Sequence, residues 1–132
     1  MSQNEDYTVH AHPTISLIVL RVSDIERAAN AYSMLGFTFE REQHGSGPEH
    51  FSTWANDTVF ELYPASERFP VTTSRVGFAV ASIQNVLNSW RQAGYEVLSE
   101  LKESPYGLRA IVADPDGHRI ELTQQPEPSS VL

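Results

Sequence analysis

The side chains that could do chemistry in this 132-residue sequence are histidines, carboxylates and arginines, because the chain contains no cysteine. The absence of cysteine excludes thiolate metal sites, disulfide bonds and cysteine nucleophiles. His50 is the best candidate for proton transfer, since an imidazole with a pKa of about 6.5 can act as a base, an acid or a metal ligand. Trp54, Tyr63 and Tyr106 could stack on a flat ligand, although aromatic residues in small domains more often form core or dimer contacts.

An internal repeat at an offset of 58 residues indicates which elements position these side chains. Apolar and glycine positions match between the two copies: Leu20, Val22, Gly36 and Phe37 fall opposite Phe78, Val80, Gly94 and Tyr95. We predict that the first helix starts at Asp24 with Ser23 as its cap and ends at Gly36. The second helix is predicted to start after Ser82 and to end at Gly94.

Both copies read as a strand, a helix and three further strands. The predicted strands span 15–22, 37–43, 50–54 and 58–63, then 75–80, 95–100, 108–113 and 119–123. The fold class is therefore α+β, with two tandem βαβββ modules that form a curved mixed sheet. We predict one domain over 1–132, with module one at about 14–64, module two at about 74–124 and a mobile tail at 125–132. The glycine-containing segment 44–48 is predicted to connect two strands, because it lacks the strand-to-helix context of a phosphate-binding loop.

The alternation of strand side chains assigns the candidate residues to one face of the sheet. Side chains two residues apart lie on the same face, so Glu61, Tyr63, Arg75, Arg119 and Glu121 share a face opposite the apolar positions that the helices cover.

Two turns set the remaining register. If Asn56-Asp57 forms a two-residue hairpin turn, then His50, Ser52 and Trp54 fall opposite Tyr63, Glu61 and Val59 on that face. If Gly117 forms a bulged turn, then Arg109 pairs with Thr123 and Ile111 with Glu121, which also brings Arg109 there.

Arginines are concentrated on this face. Arg21, Arg75, Arg109 and Arg119 are four of the nine basic residues in a chain of net charge −8. One arginine on a wet sheet face is normally solvated, but a mixed apolar and polar concavity is typical of a small-molecule site. Guanidinium groups bind carboxylates bidentately, so we predict an anionic ligand. Its predicted contacts are Trp54, Tyr63, Arg75, Arg109 and Arg119.

Two segments and the module repeat together carry a family resemblance. The segments are Val22-Ser23-Asp24-Ile25-Glu26-Arg27, leading to Leu35-Gly36-Phe37, and Asp114-Pro115-Asp116-Gly117-His118-Arg119-Ile120-Glu121-Leu122. With the paired βαβββ modules, they resemble the vicinal oxygen chelate superfamily of glyoxalases, bleomycin-resistance proteins and extradiol dioxygenases. The resemblance covers residues 15 to 123.

The resemblance implies one metal ligand on the first strand and one on the fourth strand of each module. These positions hold Leu17, Glu61, Arg75 and Glu121. Leucine has no donor atom and arginine is a permanent cation, so we expect an incomplete site. Glu61 and Glu121, with His50 as a replacement ligand, form the candidate metal set. The two glutamates also fit a general base or partners in ion pairs with Arg75 and Arg119.

Three classes of function remain open. The first, which we favour, is a small-molecule-binding protein with an incomplete metal site. The second is a metal-dependent lyase, isomerase or dioxygenase, with His50 and Glu121 as catalytic residues and a divalent metal as cofactor. The third is an interaction module that only dimerises. A bleomycin-type protein that sequesters a drug is a variant of the first class. The resemblance also implies a homodimer, with cups either inside a chain or shared between chains.

The charge and hydrophobicity of the chain exclude some partners. A net charge of −8 opposes binding to nucleic acid or anionic lipid, since both require a basic surface. No apolar run approaches the roughly 18 to 20 residues needed to span a bilayer. We therefore expect a cytoplasmic protein.

Overall fold

The computed structural model describes residues 12–105 and 107–125 and contains the predicted succession of elements. Module one consists of β1 (Leu17–Val22), α1 (Ile25–Ser33), β2 (Glu40–Glu42), β3 (His50–Ala55) and β4 (Thr58–Pro64). Module two consists of β5 (Arg75–Val80), α2 (Ile83–Gln92), β6 (Val97–Ser104), β7 (Gly107–Ala113) and β8 (Arg119–Gln124). Tyr106 and positions 126–132 of the predicted mobile tail lie outside the described residues.

Each module forms its own four-stranded mixed sheet. The strand orders are β1-β4-β3-β2 and β5-β8-β7-β6. In each sheet the first strand pairs in parallel with the last strand, and the other pairs are antiparallel. Gln125 donates its backbone N–H to the Val80 carbonyl oxygen (2.8 Å), so the final sheet continues one residue into the predicted tail. Within the described part of the chain, no helix is long and apolar enough to cross a membrane.

The caps of the two helices differ in how well the sequence predicted them. Ser82 caps α2, as predicted, because its side chain accepts a hydrogen bond from Asn85 N. The prediction for α1 was wrong by one residue: Asp24, and not Ser23, is the cap. Its Oδ1 accepts from the backbone N–H groups of Glu26 (3.0 Å) and Arg27 (3.1 Å). A carboxylate at this position also interacts favourably with the helix dipole.

Two strand boundaries also differ from the prediction. The strand predicted at 37–43 is only three residues long, because Phe37 and Phe39 leave the sheet and pack against the core. The strand predicted at 95–100 instead spans Val97–Ser104 and has an irregular register with β7.

The two modules meet through the sheet faces that their helices cover, which we call the inner faces. The Phe78 ring of module two lies 5.4 Å from Phe37 and from Phe60 of module one, and 6.2 Å from Tyr32. These contacts join the buried apolar side chains of both modules into one core. The opposite sheet faces, which we call the outer faces, do not contribute to this core.

A buried polar cluster of Tyr32, Asp114 and His118 also connects module one to the β7–β8 turn through hydrogen bonds. Asp114 Oδ2 accepts hydrogen bonds from the Tyr32 hydroxyl and from His118 Nδ1, both at 2.7 Å. Its Oδ1 accepts from the backbone N–H groups of Asp116 and His118. On the far side of the ring, His118 Nε2 lies 2.9 Å from Thr72 Oγ1 in the segment between the modules.

Candidate functional site

The predicted register of the β3–β4 hairpin is confirmed. Ser52 pairs with Glu61 and Trp54 pairs with Val59, across a turn in which Asn56 has a φ of 58°. His50 therefore lies beside Tyr63 on the outer face of module one. Their rings are stacked with centroids 4.1 Å apart and an interplanar angle of 9°.

His50 is the most enclosed of the candidate residues, with a relative exposure of 1%. Its Nδ1 lies 3.2 Å from the Pro48 carbonyl oxygen, which can only accept, so Nδ1 carries the hydrogen. In the neutral ring this leaves a lone pair on Nε2. Nε2 lies 3.4 Å from Glu42 Oε1 and 3.9 Å from Glu61 Oε2, but it has no hydrogen-bond partner among the described residues.

Sequence reasoning missed two residues of this site, Glu42 and His44. Glu42 is paired with His50 across the β2–β3 ladder. His44 follows two residues later, and its Nε2 lies 3.6 Å from Glu42 Oε1. The available signal was the Glu-x-His spacing just before the turn that leads to His50. The register across that turn could not be read from the sequence, so the spacing alone did not identify the group.

Tyr63 connects His50 to an arginine. The Arg21 guanidinium lies 4.9 Å from the Tyr63 ring centroid and 4.4 Å from that of Phe69, and it donates to the Pro64 carbonyl oxygen. Desolvation raises the pKa of Tyr63, and the nearby Glu61 carboxylate adds to the effect. The phenol therefore stays protonated at neutral pH and can donate a hydrogen bond.

The outer face of module two carries a different group of charges. The predicted pairs Arg109–Thr123 and Ile111–Glu121 are confirmed. Glu121 accepts from Arg75 Nε through Oε2 (2.6 Å) and from Arg109 through Oε1 (2.8 Å). The predicted ion pair of Glu121 with Arg75 is thus present, whereas Arg119 makes no side-chain hydrogen bond or ion pair within the described part of the chain.

The four positions that the resemblance assigns to a metal do not fit one. Leu17 offers no donor atom, and the Arg75 guanidinium occupies an oxygen of Glu121. Among residues 12–105 and 107–125, no hydrogen bond or ion pair joins Glu61 to the Glu121 group. His50, Glu61 and Glu121 do not bring their ligand atoms within 4.8 Å of one another in that part of the chain, so they stay a prediction as a metal set.

Large apolar side chains are exposed next to these charges. Leu17 and Trp54 lie on the outer face of module one with relative exposures of 54% and 67%. A groove of about 850 Å³ also opens between the modules. Inner-face residues including Ile18, Phe60 and Phe78 line it, and it contains none of the charged candidates. Trp54 of module one and Gly77 of module two, which alternate with the inner-face positions, also line the groove, so it reaches the apolar part of the outer faces but not their charged residues.

Comparisons with solved structures return proteins of one fold. TnmS3, an antibiotic-binding protein from Streptomyces sp. CB03234, is 25% identical, with a TM-score of 0.70 over 88% of this chain and 98% of its own. A glyoxalase/bleomycin resistance protein from the same organism is also 25% identical, with a TM-score of 0.67 over 84% of this chain and 100% of its own. The oxidase ChaP-H2 is 18% identical, with a TM-score of 0.69 over 90% of this chain and 98% of its own, and shows the fold alone.

No curated protein sequence matches this chain. The sequence profile described as Glyoxalase/Bleomycin resistance protein/Dioxygenase superfamily matches residues 14–122, which span both βαβββ modules and all eight strands but for the last two residues of β8. The chain therefore belongs to the glyoxalase, bleomycin-resistance and dioxygenase superfamily.

Proposed function

We propose that this protein binds a small organic molecule that carries an anionic group, in a cup formed between the outer faces of two copies of the chain. The observation that carries the proposal is the division of binding groups between the modules. Module one exposes Leu17 and Trp54, which offer apolar contacts. Module two offers Arg75, which is more than half exposed, and Arg119, which has no side-chain partner among the described residues.

The need for a second copy follows from the way the modules pack. Their inner faces meet through Phe37, Phe60 and Phe78, and the groove between the modules, which Trp54 lines, contains none of the charged candidates. A second copy of the chain would bring the arginines of module two to the exposed apolar side chains of module one. In a symmetric dimer, the outer face of module one can oppose the outer face of module two from the partner, and the same contact then occurs twice. The first strand of each module is an edge strand, so it can lie beside a strand of the partner.

The charges favour an anion over a cation. On module two, Glu121 is already held by Arg75 and Arg109. The Arg119 guanidinium has no carboxylate partner in the described ranges, so these four residues give the face a net positive charge. A guanidinium pairs with a carboxylate through two parallel hydrogen bonds.

Binding without turnover fits the site better than catalysis. Both carboxylate oxygens of Glu121 already accept hydrogen bonds from arginines, Oε2 from Arg75 and Oε1 from Arg109, so neither is free to face a substrate proton. His50 and Glu121 remain predictions as catalytic residues. The likeness to the antibiotic-binding protein TnmS3 supports sequestration as the biological use of such a site.

The proposal is tested by calorimetric titration with 2-naphthoate and with 2-naphthamide, a neutral molecule of nearly the same shape. A hydrogen bond to a charged group contributes about 1.5 kcal/mol or more, so the carboxylate should bind roughly tenfold tighter than the amide. Arg119→Ala should abolish this preference. Arg91→Ala, which removes an arginine that pairs with Glu100 on another surface, should leave it unchanged. Equal affinity for the two probes would contradict the proposal.

A further inference from the structure

We propose that Glu42, His44 and His50 form a binding site for a divalent transition-metal ion, separate from the four metal positions of the family. One acceptor atom from each of the three side chains lies within 4.8 Å of the others. The site is confined to module one and to one strand pair with its connecting turn. It goes beyond the proposed binding of an anionic molecule and does not depend on it.

The distances suit a small tetrahedral ion. Ligand atoms about 2.1 Å from a tetrahedral zinc ion lie about 3.4 Å from one another. Glu42 Oε1 lies 3.4 Å from His50 Nε2 and 3.6 Å from His44 Nε2. Two of the three ligand pairs therefore already have the required spacing. The third pair is His44 Nε2 with His50 Nε2. The His44 side chain is 73% exposed, so it can rotate to bring these two nitrogens to the same spacing.

The unpaired Nε2 of His50 indicates that a metal ion can bind at this nitrogen. A buried nitrogen without a hydrogen bond costs free energy, so an orphaned Nε2 in a fully buried ring needs an explanation. Its Nδ1–H is held by the Pro48 carbonyl, which fixes the tautomer and turns the Nε2 lone pair toward Glu42. A backbone carbonyl that orients the far nitrogen in this way is the usual outer support of a metal-bound histidine.

The backbone makes the site largely preformed. Glu42 and His50 are directly opposed on the β2–β3 ladder, which fixes their separation. The Gly47 N–H donates to the His44 carbonyl oxygen (2.9 Å) and closes the turn that returns the chain to β3. The Glu61 carboxylate, 3.9 Å from His50 Nε2, adds negative charge beside the ligands.

The ligand set defines the class of metal. Two imidazoles and one carboxylate suit Zn²⁺ and its neighbours Co²⁺ and Ni²⁺, whereas Ca²⁺ and Mg²⁺ prefer oxygen ligands alone. Three protein ligands leave one position of a tetrahedral ion open to water. Because His44 is exposed, this position faces solvent and remains accessible to a small ligand.

The test is titration of the full-length, metal-free protein with Co²⁺, followed by its visible ligand-field absorption, and with Zn²⁺ by calorimetry. We expect one ion per chain. His44→Gln should weaken binding by roughly 10- to 100-fold or more, because loss of even an outer partner of a metal ligand has that effect. His44 is exposed, so this variant should fold like the wild type, and His12→Gln, at another exposed histidine, serves as the control.

Two further variants separate the proposed site from adventitious binding. Glu42→Gln keeps the shape of the side chain but removes its charge, and should also weaken Co²⁺ binding and alter the absorption spectrum. Binding that survives both His44→Gln and Glu42→Gln, or that is lost in His12→Gln, would overturn the proposal. Because no organic probe is present, failure here leaves the proposed anion site untouched.

Discussion

At the scale of single residues, the Asp114 carboxylate has the densest set of contacts. It accepts hydrogen bonds from the Tyr32 hydroxyl, from the His118 ring and from two backbone N–H groups. Burial alone would raise the pKa of Asp114, but the hydrogen bonds from His118 and Tyr32 outweigh it and hold the pKa below its usual value. Burial, together with the Asp114 charge, raises the pKa of Tyr32, which therefore stays a hydrogen-bond donor. In the Asp-Pro-Asp-Gly-His segment, Asp114 and His118 therefore have a structural role, because their side chains hold the β7–β8 turn against α1.

We predict that Asp114→Asn lowers the free energy of unfolding by about 3 kcal/mol or more, because removing one partner of a buried charged pair leaves the other without compensation. Urea denaturation followed by circular dichroism measures the change. Asp57→Asn, at the exposed β3–β4 turn, is the matched control and should change stability little. A loss below about 1 kcal/mol for Asp114→Asn would contradict the role given to this cluster.

The same cluster predicts a pH dependence. The hydrogen bond that His118 donates to Asp114 raises the pKa of His118 above its ordinary value, despite burial. A raised pKa in the folded state stabilises the protein fully below the unfolded value of about 6.5, and this contribution is lost as the pH rises through the folded pKa. The stability advantage of the wild type over His118→Gln should therefore shrink as the pH rises above about 6.5. An advantage that grew with pH over that range would reverse the assigned sign.

At the scale of elements, the N-cap residue of α1 differs from the one predicted from the sequence. Ser23 and Asp24 both fit a cap by residue type, but only the Asp24 side chain accepts from the first helical N–H groups. We predict that Asp24→Ala lowers the free energy of unfolding by about 1 kcal/mol, the usual value of an N-cap. Ser23→Ala, measured in the same thermal denaturation experiment, should have a smaller effect. Equal losses would mean that the cap is shared.

Elements whose register depends on a short turn could be predicted from the sequence. Asn56-Asp57 and Gly117 fixed the pairing of β3 with β4 and of β7 with β8, because tight turns allow few registers. The β2–β3 connection has seven residues between the strands, and a longer loop permits several registers. The pairing of Glu42 with His50 was therefore not predictable, and the group with His44 was missed for the same physical reason.

The contacts of Asp114 were also beyond sequence reasoning. They join α1 to a turn 82 positions later in the chain, and His118 of the same cluster extends the contacts to Thr72 between the modules. No local sequence pattern predicts a contact between α1 and the β7–β8 turn, because this contact depends on how the modules pack. The face assignments succeeded for the opposite reason: strand alternation is local, so His50 and Glu61 could be placed on one face before their separation was known.

At the scale of the whole molecule, the repeat of the βαβββ module determines both the core and the binding surfaces. Joining the inner faces of both modules buries Phe60 and leaves the outer faces, with Trp54 on one and Arg119 on the other, outside the shared core. In the proposed site, two chains combine the apolar outer face of one copy with the arginines of the other. This arrangement links the proposed binding of an anionic molecule to assembly of a dimer.

The most direct test of this account is a mixed dimer of Trp54→Ala and Arg119→Ala chains, purified through two different tags and titrated with 2-naphthoate. If Trp54 of one chain and Arg119 of the other chain share a cup, the mixed dimer contains one intact cup and one doubly altered cup. We predict one site of wild-type affinity in each mixed dimer and none in either variant homodimer. A mixed dimer without such a site, or a protein that stays monomeric at the concentrations used, would contradict the shared cup.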